Sequence, residues 1–194
     1  MSARLMGRRA IVVPVDGSGP FLWLNERGPR RGFRRLPPGG MCLSAFVFVE
    51  REGRILLGRY ADDPRWEELT GLDEGRWRAH GKGWTLPATH LRFGEDPRAA
   101  GRRVLDDVLG LRDVALSEPR VMTDVGPPWR GPARGDHYDV MFLMDARLAP
   151  GRDVARPPWY TELAWHEPSA LSGDACARGH GDVVAQWRRR RGSS

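Results

Sequence analysis

Lysine, cysteine and long apolar runs are scarce in this sequence of 194 residues, and the scarcity of the last two excludes two classes of protein. The two cysteines, Cys42 and Cys176, are too few for a disulfide scaffold and lack the spacing of a metal-binding knuckle. No apolar run reaches the length of a membrane-spanning helix, and residues 1–9 lead into a strand-like segment rather than resembling a signal peptide. We therefore expect a cytoplasmic protein without a membrane partner.

Positive charge comes almost wholly from arginine, because Lys82 is the only lysine among 31 basic residues. The formal net charge of +6 is compatible with an anionic partner, and an arginine side chain can hold a phosphate group through two hydrogen bonds. Arginines cluster at residues 30–35 and 188–191, but no recognition motif or aromatic platform accompanies them. We expect a small anionic ligand rather than specific nucleic-acid binding.

The composition otherwise fits one globular domain with appendages, since 40% of the residues are hydrophobic and 29% are charged. The chain divides into an N-terminal extension (residues 1–40), a folded domain (41–190) and a short tail (191–194). In the extension, two apolar runs flank a glycine-rich turn and predict a β-hairpin, which a linker rich in Gly, Pro and Arg follows. The hairpin fits either a homodimer contact or a cover over a cleft.

The apolar pattern of the folded domain alternates strands and helices, as in α/β proteins. Strands are predicted at residues 41–50, 54–59, 121–124 and 137–145, and helices at 96–109 and 182–190. A polar insertion at residues 60–83 follows the second strand and contains Trp66 and Trp77. Tryptophans in long loops more often anchor the loop through their apolar area, so we favour anchoring over stacking on a ligand base.

The most informative stretch is residues 86–111, LPATHLRFGEDPRAAGRRVLDDVLGL. Asp96 suits the N-cap of a helix, Pro97 its first turn and Gly110 its end. These signals predict the helix over residues 96–109.

This stretch resembles the Nudix box, Gx5Ex7REUxEExGU, in which U is a bulky aliphatic residue. Six positions of the box agree without a gap, namely Glu95, Arg103, Leu105, Asp107, Gly110 and Leu111. Neighbouring and later positions that also agree are Trp84, Leu86, Pro87, Gly94, Pro97, Glu162, Trp165 and Pro168. The resemblance covers roughly residues 41–190.

The departures from the box matter as much as the matches. Thr89 stands where the box opens with glycine, and a side chain there restricts the backbone. Val104 and Val108 replace two of the three glutamates expected to bind metal, and they share one face of a regular helix. Magnesium binds oxygen ligands, so valine contributes nothing to its site.

The resemblance implies an α/β/α sandwich around a mixed β-sheet, preceded here by the N-terminal hairpin. It also implies hydrolysis of a nucleoside diphosphate linked to another group, with Mg²⁺ or Mn²⁺ neutralising the diphosphate and orienting a water molecule. Asp107 is then the best remaining metal ligand, Glu95 a supporting ligand or base, and Arg103 the organiser of the loop. Asp106 is a third candidate ligand, one position early in a regular helix.

A local bulge in the helix would turn Asp106 and Asp107 together toward a metal, although this displaced register misplaces Glu95. Arg103 and Asp107 equally fit an ordinary surface ion pair. His90 is a candidate substitute ligand. Candidate bases outside the box are His137, Asp139, Glu162 and His166, each of which also fits an ordinary polar residue.

Two functions therefore follow from the sequence. The first is a Nudix-like hydrolase that cleaves a nucleotide-type diphosphate linkage with an altered divalent-metal site, which the surviving Glu95, Arg103 and Asp107 favour. The second is a catalytically inactive Nudix-fold protein that binds a nucleotide or has a regulatory role, which Val104 and Val108 favour. The sequence predicts the hydrolase-like function as the first choice and leaves the presence of catalysis open.

Overall fold

The computed structural model describes residues 41–126, 137–177 and 179–191. The predicted N-terminal hairpin and its linker, and residues 192–194 of the predicted tail, lie outside the described residues. Within the described ranges, no helix combines the length and the apolar character needed to span a bilayer.

One mixed β-sheet of six strands forms the centre of the domain. Its strands are β1 (Met41–Arg51), β2 (Arg54–Tyr60), β3 (Ala88–His90), β4 (Arg120–Gly126), β5 (His137–Arg147) and β6 (Tyr160–His166). The strand order is β4-β5-β1-β2-β6, and β3 pairs with β1. Only β1 and β5 are parallel, whereas the other pairs are antiparallel. A two-residue turn with positive φ at Glu52 (50°) and Gly53 (78°) joins β1 to β2, as tight hairpins require.

Helices cover both faces of this sheet. The α-helices are α1 (Arg65–Thr70), α2 (Glu74–His80), α3 (Pro97–Arg103) and α4 (His180–Arg191). Asp96 caps α3 as predicted, because its Oδ1 accepts hydrogen bonds from the backbone N–H groups of Arg98 (2.8 Å) and Ala99 (3.0 Å). The four strands predicted within the described residues are confirmed with ends shifted by a few residues, and α4 begins two residues earlier than predicted.

The prediction of one regular helix over residues 96–109 is wrong in its second half. After α3 ends at Arg103, residues Val104–Val108 form a π-helical turn. The backbone N–H of Leu109 bonds to the carbonyl of Val104, five residues back, at 3.1 Å. Such single wide turns occur where other contacts outweigh regular helical hydrogen bonding.

The core consists of two apolar clusters, one on each face of the sheet. Under α3 and the π-turn lie Val47, Val49, Leu56, Val104, Leu105, Val108 and Met144, all nearly or fully buried. Against α4 lie Phe46, Phe48, Ile55, Leu57, Met141, Val184 and Trp187. Phe48 and Trp187 stack with ring centroids 4.8 Å apart, which fixes α4 on the sheet. The predicted α/β/α sandwich is confirmed.

Candidate ligand-binding site

The guanidinium group of Arg103 is the centre of the box loop. Its Nε and Nη2 donate to the two carboxylate oxygens of Glu95 at 3.0 and 2.9 Å. Nη1 donates to the carbonyl of Leu69 (2.9 Å) and to Oγ1 of Thr89 (2.8 Å), and Nη2 donates to the carbonyl of His90 (2.9 Å). All five N–H donors of the group are used, and only 9% of the side chain is exposed. Arg103 thus holds the loop around itself.

Glu95 is engaged by this arrangement on both oxygens. Besides the two bonds from Arg103, its Oε2 accepts the backbone N–H of Arg92 at 2.8 Å. Burial on its own would raise the pKa of Glu95, but the bonds from Arg103 and Arg92 outweigh burial and hold the pKa below its ordinary value. The carboxylate is therefore ionised at neutral pH, and a metal ion would have to compete with Arg103 for it.

The two valines that replace box glutamates lie in the core. Val104 and Val108 are both 0% exposed. The indole N–H of Trp159 donates to the carbonyl of Val108 at 3.1 Å, so the loop that carries Trp159 closes over this end of the helix. The helix face that would present carboxylates is packed with apolar atoms instead.

The remaining acids of the box differ in their contacts. Asp106 Oδ1 accepts a hydrogen bond from Nε of Arg102, four residues earlier, at 3.0 Å, and lies 2.9 Å from Nη2 of the same guanidinium. Asp107 is exposed, and among the described residues its carboxylate has no hydrogen-bond or ion-pair partner. The surface ion pair between Arg103 and Asp107 does not form, because Arg103 is committed to Glu95.

A cleft of about 810 Å³ lies beside the π-turn. Its walls are α1, the box loop, the turn at residues 109–112 and the loop at residues 152–159. The charged side chains that line it are Glu68, Arg92, Asp106, Asp107, Arg112, Arg152, Asp153 and Arg156, and Trp159 provides an aromatic wall. Asp106 and Asp107 reach the same cleft, as the displaced register would require, although Glu95 and Arg103 keep the undisplaced one.

The cleft has an excess of one positive charge once the ion pairs to residues outside it are taken into account, because three arginines remain against the carboxylates of Glu68 and Asp107. Asp153 pairs with Arg51, outside the lining, at 2.7 Å, just as Asp106 pairs with Arg102. Arg152 pairs with Asp113 at 2.5 Å, and Arg156 donates to a backbone carbonyl and keeps its charge. Of the cleft arginines, Arg92 and Arg112 have no side-chain hydrogen-bond or ion-pair partner within the described part of the chain. They are available to an anion.

These residues do not form the carboxylate cluster through which the resemblance implies that a divalent metal binds. Within residues 41–126, 137–177 and 179–191, no group of three or more Asp, Glu, His or Cys side chains is close enough to hold a metal ion. Of the predicted ligands, Glu95 and Asp106 are bonded to arginines, and Asp107 alone is available. Magnesium is usually held by one or two carboxylates together with waters and substrate phosphates, so a site here would depend on Asp107 and on the phosphates of the ligand itself.

The insertion at residues 60–83 forms one wall of the cleft. Trp66 and Trp77 are 0% and 4% exposed, so the predicted anchoring role is confirmed. The indole N–H of Trp66 donates to the carbonyl of Trp159 at 3.1 Å. The indole ring stacks on the ring of Tyr60, with centroids 3.4 Å apart. The insertion is therefore fixed to the loop at residues 152–159.

The proposed helper residues whose side chains are described, namely His90, Asp139, Glu162 and His166, do not line the cleft. His90 Nδ1 lies 3.0 Å from the carbonyl of Thr70, Glu162 pairs with Arg59 at 3.6 Å, and the His166 ring contacts Trp84. Burial lowers the pKa of His166. Asp139 is half-buried on β5, and the side chain of His137 lies outside the description.

Sequence reasoning missed the cleft residues that lie outside the box. The loop at residues 152–159 supplies Arg152, Arg156 and Trp159, and the turn after the box helix supplies Arg112. Their only local signal was the density of Arg and Pro around a tryptophan, which predicts a loop but not its position.

No protein-family model matches the chain, and no curated protein matches it. Several solved structures, in contrast, are similar to it. The E. coli dihydroneopterin triphosphate pyrophosphohydrolase is similar over 75% of this chain and 93% of its own, with 13% identity and a TM-score of 0.52. The MutT protein from Methanosarcina mazei Go1 covers 78% and 95% at 14% identity and a TM-score of 0.52. The C. elegans Ap4A hydrolase covers 79% and 99% at 14% identity and a TM-score of 0.50. Identities this low establish architecture alone, and that architecture is the Nudix fold, as the box resemblance implied.

Proposed function

We propose that this protein binds a nucleotide-type ligand through its phosphates in the cleft beside the box helix, as a binding or regulatory protein rather than a magnesium-dependent hydrolase. The observation that carries the proposal is the state of the box carboxylates. Two are replaced by the fully buried Val104 and Val108, and Glu95 is bonded on both oxygens by Arg103.

Hydrolysis of a diphosphate needs its negative charge neutralised before a water molecule approaches, and the family does this with metal ions. Removing several kcal/mol of that stabilisation slows a reaction by several powers of ten, at about 1.4 kcal/mol for each tenfold. A cleft with one available box carboxylate supports binding of the anion better than its cleavage.

Binding itself is supported by the arginines of the cleft. Arg92 and Arg112 lie on opposite sides of the box helix in sequence, and both line the same cleft without a described partner. One guanidinium group can bind two phosphate oxygens at once through two parallel N–H···O hydrogen bonds. Trp159 offers apolar surface for the rest of the ligand. Two of the structural relatives are named for phosphate-chain compounds, dihydroneopterin triphosphate and Ap4A.

The test is calorimetric titration with ADP, Ap4A and pyrophosphate in EDTA and again with Mg²⁺. We expect binding that Mg²⁺ does not strengthen, and about tenfold weaker binding in Arg92→Gln and Arg112→Gln, since one charge-assisted hydrogen bond contributes about 1.5–3 kcal/mol. Arg98→Gln is the matched control, because Arg98 is an exposed arginine of α3, between Arg92 and Arg112 in sequence, and pairs with Glu118 outside the cleft. If none of the three ligands binds, the proposal is refuted.

Hydrolysis is the second candidate, and Asp107 favours it. This carboxylate is exposed and lines the cleft together with Glu68 from the insertion. A turnover assay on the same ligands with Mg²⁺ and Mn²⁺ decides between the candidates when Asp107→Ala is assayed beside the unaltered protein. Turnover that disappears in Asp107→Ala would replace the binding role with a hydrolase that uses a reduced metal site.

A further inference from the structure

We infer that Thr89 is a positioning residue for the cleft: it joins the inserted helix α1 to Arg103 and so holds the box loop in its ligand-binding shape without a metal ion. The effect on ligand affinity rests on the proposed function, whereas the effect on the loop does not. Thr89 is the residue that stands at the opening glycine of the box, so the inference gives this departure a role.

The hydroxyl of Thr89 contacts both Arg103 and helix α1, since it can accept one hydrogen bond and donate another. Its side chain is buried, with 3% of the residue exposed. The hydroxyl oxygen accepts from Nη1 of Arg103 at 2.8 Å. The hydroxyl proton has two carbonyl acceptors within reach, those of Leu69 (3.2 Å) and His90 (3.3 Å). Glycine at this position would provide neither the acceptor nor the donor.

The last carbonyls of α1 depend on the box loop for their partners. A helix ends with carbonyls that have no intrahelical donor, and α1 ends at Thr70. The carbonyl of Leu69 accepts from Arg103 at 2.9 Å, and Nδ1 of His90 lies 3.0 Å from the carbonyl of Thr70. The insertion and the box loop therefore satisfy each other's buried polar groups.

This arrangement fixes two walls of the cleft relative to each other. Leu69 belongs to α1 and Arg92 to the box loop, and both line the cleft. The backbone N–H of Arg92 is bound by Glu95, which Arg103 holds in turn. A change at Thr89 is thus transmitted through Arg103 to the position of a ligand-binding arginine, although Thr89 does not line the cleft.

Thr89→Val tests the inference, because it keeps the shape of the side chain and removes the hydroxyl. Thr85→Val is the matched control: Thr85 is fully buried, and its hydroxyl donates to the carbonyl of Gly58 at 2.8 Å, away from the cleft. Both changes remove a buried hydrogen bond and are expected to lower the thermal stability, with the smaller loss in Thr85→Val because the carbonyl of Gly58 keeps the backbone N–H of Thr85 at 2.9 Å. Only Thr89→Val is expected to act on the cleft, and Thr89→Ser is expected to restore it.

The measurements are amide hydrogen exchange over residues 88–95 without ligand and ADP affinity in EDTA. We expect Thr89→Val to exchange about tenfold faster in this loop and to bind ADP about tenfold more weakly, equivalent to about 1.4 kcal/mol. Thr85→Val is expected to leave both quantities unchanged. If Thr89→Val does not fold, Thr89→Ala removes the same hydroxyl with a smaller side chain and is measured in its place.

Two results would overturn the inference. One is a Thr89→Val protein whose loop exchanges no faster than that of Thr85→Val, and the other is weaker ADP binding that Thr89→Ser fails to restore. If the unaltered protein binds neither ADP nor pyrophosphate, the proposed function fails by itself, and the exchange rates alone then decide whether Thr89 holds the loop.

Discussion

The two halves of the box helix have opposite surroundings. In α3, Arg103 reaches into a buried polar network in which all of its donors are used. In the π-turn that follows, Val104 and Val108 turn into the apolar core and leave only Asp106 and Asp107 toward the cleft. The loop-building half of the motif and its metal-binding half are therefore separable, and this chain keeps the first while the second serves packing.

The energetic terms of the two halves also differ. Each fully buried valine contributes about 1.5–3 kcal/mol of apolar burial. A buried ion pair contributes little net stability relative to an apolar substitute, but losing one partner is costly because the other charge stays unpaired. The first half is thus sensitive to the removal of a charge, and the second half to its introduction.

Val108→Glu is expected to have the largest effect, because it places a carboxylate at a position that is 0% exposed. We expect a loss of about 4 kcal/mol or more in the free energy of unfolding, measured by urea denaturation, since the buried charge has no partner. Asp107→Glu is the control, as it adds the same side chain at an exposed position. A Val108→Glu protein of unchanged stability that binds Mg²⁺ would show that the valine face is open to the cleft.

Arg103→Met comes next and tests the other half. It leaves Glu95 charged in a site where 14% of its side chain is exposed, with an expected cost of about 3–5 kcal/mol. The double change Arg103→Met with Glu95→Gln is expected to cost less than the sum of the single changes, because no charge remains. Additive costs in thermal and urea unfolding would mean that the two residues do not act as a pair.

Acid should weaken the first half specifically, through Glu95. Its pKa lies below the ordinary 4.5 in the folded chain, so its contribution to stability is complete above pH 4.5 and is lost as the pH falls through the lower folded value. In Glu95→Gln the free energy of unfolding is expected to fall less steeply below pH 4.5. The difference in free energy between the two proteins is expected to be smaller than the loss in Arg103→Met. Unfolding curves between pH 2.5 and 6 measure this, and identical slopes in the two proteins would contradict it.

Asp106→Asn is expected to have the smallest effect. The ion pair of Asp106 with Arg102 joins residues four apart on the surface, with 30% and 34% of the side chains exposed. Such pairs contribute about 0.3–0.5 kcal/mol, so thermal unfolding should change by no more than a few degrees. A loss above about 1.5 kcal/mol would place Asp106 among the buried supports of the fold.

Local signals explain what could be predicted from the sequence. The capping pattern of Asp96 and Pro97 fixed the start of α3, and the apolar runs predicted β1, β2 and β5, because each depends on neighbouring residues. A regular helix was predicted across the π-turn, with a local bulge only as the less favoured alternative, since Val104–Val108 carries no compositional mark of a one-residue change in hydrogen bonding. The indole of Trp159 is hydrogen-bonded to Val108, and the two residues are 51 positions apart in sequence, so no local pattern predicts this contact.

The π-turn also has a genetic meaning. A π-helical turn holds one residue more than the α-helical turn it replaces. The box helix of this chain and a regular helix that ends at the same place are therefore one codon apart, without any need to exchange side chains one by one. In a regular α-helix one extra residue would rotate everything after it by about 100° around the axis, since there are 3.6 residues per turn, whereas the wider turn at Val104–Val108 absorbs the extra residue. A one-codon deletion in this turn would thus change which of its own side chains face the cleft and leave the residues after it in place.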